Sequence, residues 1–214
     1  MKYPISAALL VLCAASLAGQ TPASSAVKTH TDLLGFSYSL PADWNLIDVQ
    51  PSLPAIRQQV GNEATSAEEK KGTECAQVPF LARRGDPPSV VEIVTMGFDC
   101  FGQKMTEKDL PAVGMGMAEG VKKSFNIVDP VYGAYTLGSH PIWIERASGN
   151  FINSPDRKVE FEAVCAVLKG GVACWMAFIA DDASLRAFEQ GQVVLEDDAP
   201  VALVPADALT KKPE

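Results

Sequence analysis

Histidine is nearly missing from this chain of 214 residues, which has only His30 and His140. An imidazole-rich metal centre needs several such ligands at close spacing, so no metal site is expected. A Cys-His nucleophile pair is not suggested either. A Ser-His-Asp arrangement would have to use His140, which precedes Pro141 in a turn where a polar residue needs no special reason. Cationic residues are also in short supply, with 18 Lys and Arg against 26 Asp and Glu and a net charge of −8. That balance disfavours nucleic acid and anionic lipid surfaces, both of which recruit clustered Lys and Arg. Past residue 18 no run is long and apolar enough to span a bilayer. No internal repeat occurs.

Motifs that carry cofactor or acid-base chemistry are wanting as well. Gly114-Met115-Gly116-Met117-Ala118-Glu119-Gly120 has one residue too many between its last glycines to be a dinucleotide fingerprint. It also lies inside a helical pattern, where glycines allow close helix-to-sheet packing. No cofactor is expected. Met115 and Met117, with Met105 nearby, suit either a soft ligand surface or a core. Glu160 and Glu162 read as solvated residues on the wet face of a strand, not as a glycosidase pair facing one cleft.

What the chain does have begins with a secretory signal over residues 1–18. Lys2 is the basic start, Ile5 to Ala15 the apolar stretch, and Ser16-Leu17-Ala18 a small-x-small cleavage site. Leu12 before Cys13 argues against a lipoprotein signal, which wants a small residue there. Residues 19–33 read as a flexible leader, 34–205 as one domain and 206–214 as a tail. The export signal implies a periplasmic or secreted protein. Cys13 leaves with the signal, so Cys75, Cys100, Cys165 and Cys174 remain, an even count that favours disulfides in an oxidising compartment.

Alternation in Gly35 to Leu40 predicts a strand, and Trp44 to Val49 a second strand of the same hairpin, after the turn Pro41-Ala42-Asp43. Ser52 caps a short helix with Leu53, Ile56 and Val60 on one side, stopped by Gly61. Residues 62–74 read as a loop or a poorly buried helix. Cys75 to Ala82 and Ser89 to Phe98 make a second hairpin, whose Pro79 demands an edge or a bulge. Leu110, Val113, Met117, Val121 and Phe125 recur at helical spacing, and Pro111 favours a start at Asp109. Ile142 to Arg146 is a strand.

The clearest signal lies further on. Val159, Phe161, Ala163, Cys165 and Val167 alternate, as do Val172, Cys174, Met176 and Phe178. A tight turn at Lys169-Gly170 pairs Leu168 with Gly171, hence Val167 with Val172, Cys165 with Cys174 and Phe161 with Phe178. On that face apolar residues meet apolar residues, which fixes the register. Cys165 and Cys174 then fall at a non-hydrogen-bonded pair, within disulfide reach. Cys75 with Cys100 is the second expected bridge, across a loop of less definite geometry. Asp181 or Asp182 caps a last helix with Leu185 and Phe188, and Val193 to Glu196 adds a short strand. Together these elements predict an α+β fold, a mainly antiparallel sheet with helices packed on it.

The order of pieces resembles the PsbP-like domains. Gly35-Phe36-Ser37-Tyr38-Ser39-Leu40-Pro41-Ala42-Asp43-Trp44 is similar to their opening F-x-(F/Y)-x-x-P-x-x-W hairpin. Leu137-Gly138-Ser139-His140-Pro141-Ile142 is similar to their later l-G-x-p-a turn. The resemblance spans roughly Leu33 to Leu195. It implies an antiparallel sheet flanked by helices on both faces, and action by binding, not catalysis. It transfers no functional residue.

The expected function is therefore that of an exported, non-enzymatic binding or accessory domain, acting through a protein partner or a small apolar ligand. A secreted hydrolase with a fold-assembled site including His140 is the alternative. Binding residues concentrate on loops displayed by a rigid scaffold. Gly149 to Asp156 reads as such a stretch, so Asn150, Phe151 and Asn153 are expected at the site, with Trp143, Arg146 and Arg57. Alanine at Arg146 or Phe151 is expected to weaken partner recovery without changing Tm.

Overall fold

In a computed structural model, residues 27–31, 34–64 and 66–209 are described, so the signal read over 1–18 lies outside the described residues. Strands β1 (Val27–Thr31), β2 (Phe36–Leu40) and β3 (Asn45–Leu46) precede helices α1 (Leu53–Glu63) and α2 (Ala67–Cys75). A hairpin of β4 (Gln77–Arg84) and β5 (Ser89–Gly97) leads into α3 (Phe98–Phe101) and α4 (Leu110–Val121). Four strands follow: β6 (Phe125–Leu137), β7 (His140–Phe151), β8 (Ser154–Leu168) and β9 (Gly171–Ile179). The last described elements are α5 (Asp182–Glu189), β10 (Gln192–Leu195), β11 (Val201–Ala202) and α6 (Ala206–Leu209).

The β8–β9 hairpin has the register that its alternation predicts, with Leu168 opposite Gly171, Cys165 opposite Cys174 and Phe161 opposite Phe178. It lies in the middle of a seven-stranded antiparallel sheet ordered β3-β4-β5-β9-β8-β7-β6. Every residue of β9 is buried, because both faces of the sheet are covered. On one face α1 and α4 close a core with Val94, Met96, Val113, Met117, Phe161 and Phe178. On the other, a second antiparallel sheet, β1-β2-β10-β11, packs with α5 and α6 over Phe36, Tyr38, Trp44, Trp175 and Phe188. Burying each such side chain stabilises the fold by about 1.5–3 kcal/mol before cavity and entropy effects. The fold class is α+β, mainly antiparallel. A sheet plus two short helices, in place of helices alone, covers the second face.

Several expectations are corrected. Val27–Thr31, read as leader, pairs with β2 from Val27↔Leu40 to Thr31↔Phe36. β2 and β3 are not a hairpin: Pro41-Ala42-Asp43 carries the chain from the small sheet to the large one, where Asn45 and Leu46 pair with β4. α1 runs past Gly61, and much of the supposed loop after it is α2. Cys75 closes α2 and not a strand; β4 starts at Gln77, and Pro79 lies in the expected bulge between Gln77 and Phe80. The chain enters α4 through a 3-10 turn in which Thr106 and Asp109 cap each other, with Pro111 in the first turn of the α-helix. Phe125 opens β6 instead of ending the helix. Gly149 to Asp156 is the closing end of the long β7–β8 hairpin, not an irregular stretch. Asp181 is the cap of α5, its Oδ1 accepting from Ser184 N–H at 2.9 Å. The tail is held at its start, since Ala208 of α6 is fully buried.

Glu162 is also not solvated. It shares its side of β8 with Val164, and the small sheet and terminal helices that cover that side bury it.

Candidate functional site

Alternation along β7 sends Trp143, Glu145 and Ala147 toward α4, and Ile142, Ile144 and Arg146 the other way. The β6–β7 register sets Tyr132 opposite Glu145 and Ala134 opposite Trp143. Tyr132 and Trp143 are thus diagonal neighbours, and their rings stack at 5.7 Å with an interplanar angle of 21°. Gly114 lets α4 lie directly on this pair, because a Cβ there would overlap Trp143 Cδ1 and Nε1. The next residue, Met115, points outward and is 53% exposed, and Tyr132 is 56% exposed. Of the methionines weighed as a ligand surface, Met105 and Met117 belong to the core.

Glu145 is the titratable group of this cluster. Burial pushes its carboxyl up to about 7, with Lys122 pulling it down and Glu119 pushing it further up. Trp143 Nε1 is buried with no hydrogen-bond partner. The arrangement therefore offers an open aromatic face, a thioether and a weakly acidic carboxyl, which can hold an apolar or aromatic group by stacking.

Exposed apolar side chains gather along the same edge. Among the described residues the large ones are Leu46, Met115, Val128, Tyr132 and Ile152. Tyr132 lies on the α4 side of β6 and Val128 on its other side, Met115 on α4, which packs on β7 and β8, and Ile152 in the β7–β8 turn, its N–H bonded to Ser124 O just before β6. Only Leu46 lies at the far edge of the sheet.

The residues expected at the site are not brought together. Arg57 Nη2 donates to Ala76 O at 2.6 Å and to Gln77 Oε1 at 3.1 Å, tying α1 to the entry of β4. Arg146 faces the opposite core, where it donates to Glu162 and to Ala208 O. Asn150 Nδ2 donates to Phe151 O at 3.3 Å, and Phe151 packs half-buried against Phe125 and Phe178, each at 5.3 Å. Asn153 is exposed in the β7–β8 turn. Only Trp143 joins the cluster under α4. Its partners Tyr132 and Glu145 went unread: residues 126–137 alternate in Tyr132-Gly133-Ala134-Tyr135-Thr136-Leu137, but Asp129-Pro130 interrupts the run.

His140 does meet a serine and a carboxylate, in an order that serves a different purpose. Asp198 Oδ2 accepts from Ser139 N–H at 2.7 Å, and Ser139 Oγ donates to the same carboxylate at 3.0 Å. His140 Nε2 stands 3.7 Å from Asp198 Oδ2. The carboxylate lies between serine and imidazole, whereas general-base activation requires the imidazole between serine and acid. These bonds hold Asp198 below the usual carboxylate range. They fasten the β6–β7 turn, where Gly138 has φ +60°, to the loop after β10.

A shallow recess of about 150 Å³ opens beside the start of α5, lined by Lys158, Glu160, Asp181, Asp182 and Leu185. Asp181 is already engaged as a helix cap and by Ser89 Oγ at 3.3 Å. Among the described residues no group of three or more His, Cys, Asp or Glu side chains could hold a metal ion. No helix there is long and apolar enough to cross a membrane.

Cys165 and Cys174 are bonded, with Cα atoms 4.1 Å apart. The second expected bridge is not formed: Cys75 and Cys100 are free thiols. They are nonetheless neighbours, one ending α2 and the other in α3, with a hydrogen bond between the side chains. Burial and Cys75 push the Cys100 thiol up to about 12.

No family model matches the chain, and no curated protein matches it. Among solved structures it is similar to that of cyanobacterial PsbP from Synechocystis sp. PCC 6803, at 12% identity. The match covers 78% of this chain and 88% of that one, with a TM-score of 0.42.

Proposed function

We propose that this chain is an exported, PsbP-like binding or accessory domain without catalytic activity, engaging a protein partner or a small apolar ligand through the face where α4 lies on β7 beside β6. The observation that carries this reading is the Tyr132–Trp143 stack, with Met115 exposed on the helix whose Gly114 meets Trp143, an apolar surface left open on an otherwise acidic molecule. Exposed apolar clusters of this kind mark interaction sites. The export signal and the Cys165–Cys174 bond support a place outside the cytoplasm. The PsbP-like reading rests on the two sequence motifs quoted above.

The test is affinity purification of the tagged chain from its own cell envelope, comparing wild type with Tyr132→Ser and Met115→Ser. Both side chains are more than half exposed, so the variants should fold and lose the copurifying species. Unchanged recovery from both variants would remove this face from consideration.

A further inference from the structure

We infer that the open edge of β6 pairs with the β6 edge of a second copy of this chain, across a two-fold axis at Ala134. The inference rests on the binding reading above and names the partner. Among the described residues β6 is the last strand of the large sheet and pairs with β7 alone. Its turn Gly138-Ser139 is closed by Leu137 and His140, which makes that pair hydrogen-bonded. Counting back, Val131, Gly133 and Tyr135 bond to β7. Tyr132, Ala134 and Thr136 then turn their N–H and C=O groups away from it, toward solvent. These same three residues are exposed.

Such an edge is a template for another strand unless it is blocked. The first part of β6 is blocked: Asp129 has φ 49°, Pro130 has no N–H, and the register shifts between Val128 and Val131. From Val131 to Leu137 no proline or left-handed residue interrupts it among the described residues, and beyond that Asp198 holds the turn at Ser139. That segment has no charged residue, in a chain of net charge −8. A second copy can therefore approach here without opposing like charges at the ladder.

Antiparallel pairing centred on Ala134 is self-consistent. Ala134 meets its own counterpart, Tyr132 meets Thr136 of the second copy, and the reverse, giving about six backbone hydrogen bonds from the three outward pairs. On the other face Gly133 lies opposite Tyr135 of the second copy, and the Tyr135 ring of its own chain already lies over it, 3.0 Å from where a Cβ would stand. Pro130 ends the ladder at both sides. A two-fold interface uses the β6 edge of both copies, so this contact closes at two copies. A ladder this short buries less than the roughly 1,200 Å² of a standard interface, which places it among weak, transient contacts.

Sedimentation equilibrium between about 10 µM and about 1 mM, with amide exchange followed by NMR, tests this. Wild type should pass from monomer to dimer. Exchange at Tyr132, Ala134 and Thr136 should slow with concentration, while Val131, Gly133 and Tyr135 are protected throughout. Ala134→Lys places like charges at the axis and should stay monomeric with the same melting temperature. Ala134→Pro removes only the outward N–H and should do the same if the first variant folds poorly. A monomeric wild type at the highest concentration, or exchange at the three outward amides that ignores concentration, overturns the pairing. The binding reading fails separately, when Tyr132→Ser and Met115→Ser leave partner recovery intact.

Discussion

Arg146 of β7 and Glu162 of β8 stand directly opposite one another in the ladder, and Arg146 Nε donates to Glu162 Oε1 across 2.9 Å. Glu162 is 1% exposed. Arg146 Nη1 also donates to Ala208 O of α6, and its Nη2 lies 3.7 Å from Glu189 of α5. One guanidinium thus joins the sheet to the two terminal helices. Burial pushes Glu162 up to about 7; Arg146 pulls it down and Glu189 pushes it up.

The first prediction concerns this pair and reverses the expectation that Arg146 can be removed without cost. Arg146→Ala strands a buried carboxyl and an orphaned carbonyl, and should destabilise by about 3 kcal/mol or more. Arg146→Met with Glu162→Leu should recover most of that loss, because an apolar pair needs no compensating charge. Urea midpoints of the single and double variants decide it. A single variant as stable as wild type would show the pair to be idle.

A second prediction follows from Glu92 on β5, buried between Leu81 and Met176 with Oε1 unpartnered. Desolvation raises its carboxyl from 4.5 to about 8. Between those values the folded chain keeps a proton that the unfolded chain has lost, so stability falls as pH rises through the window. Below it nothing is lost, and above it the loss is complete. At about 1.4 kcal/mol per pH unit this amounts to a few kcal/mol. Glu92→Gln cannot titrate, so wild type minus variant should decline from pH 5 to 8 and then level. A flat difference would place the proton elsewhere.

Thiol chemistry supplies the third. Alkylation of the native protein should leave Cys165 and Cys174 unmodified, and their reduction should cost about 2 kcal/mol, since the bond closes a short loop. Oxidised glutathione should convert Cys75 and Cys100 to an internal disulfide, with two equivalents of glutathione released by successive exchange. Intact mass reads both results. Stable glutathione adducts on each thiol would show that α2 and α3 cannot bring the sulfurs into bonding geometry.

The fourth tests how α4 meets the sheet. A methyl group on Gly114 would overlap the Trp143 ring, so Gly114→Ala should destabilise by about 1–3 kcal/mol, the range for overpacking. It should also shift tryptophan emission. Retention of both wild-type stability and spectrum would mean the helix has room to lift.

Where a residue's neighbours are set by local alternation, the sequence was enough. The two-residue turn at Lys169-Gly170 fixes which residues face each other, and apolar matching then locks Cys165 to Cys174. The spacing of Leu110, Val113, Met117 and Val121 likewise placed the buried face of α4. Distant partners were not legible. Glu162 looked solvated because it alternates with apolar residues, and only the arrival of α5, α6 and the small sheet buries it. Arg146 reads as an exposed cation for the same reason.

The candidate site divides the same way. Trp143 could be named from its strand, which leads into the turn after residue 149 and is a local feature. Tyr132, Glu145 and Met115 join it only because β6 pairs with β7 in one register and Gly114 lets α4 descend. Sequence by itself determined the strand periods, the turn and the disulfide, which rest on contacts a few residues apart. Tertiary structure decided which face each strand turns to which layer, and which edge of the sheet stays open. Those depend on pairing between segments far apart in the chain, whose free energy belongs to the assembled layers and to no segment alone.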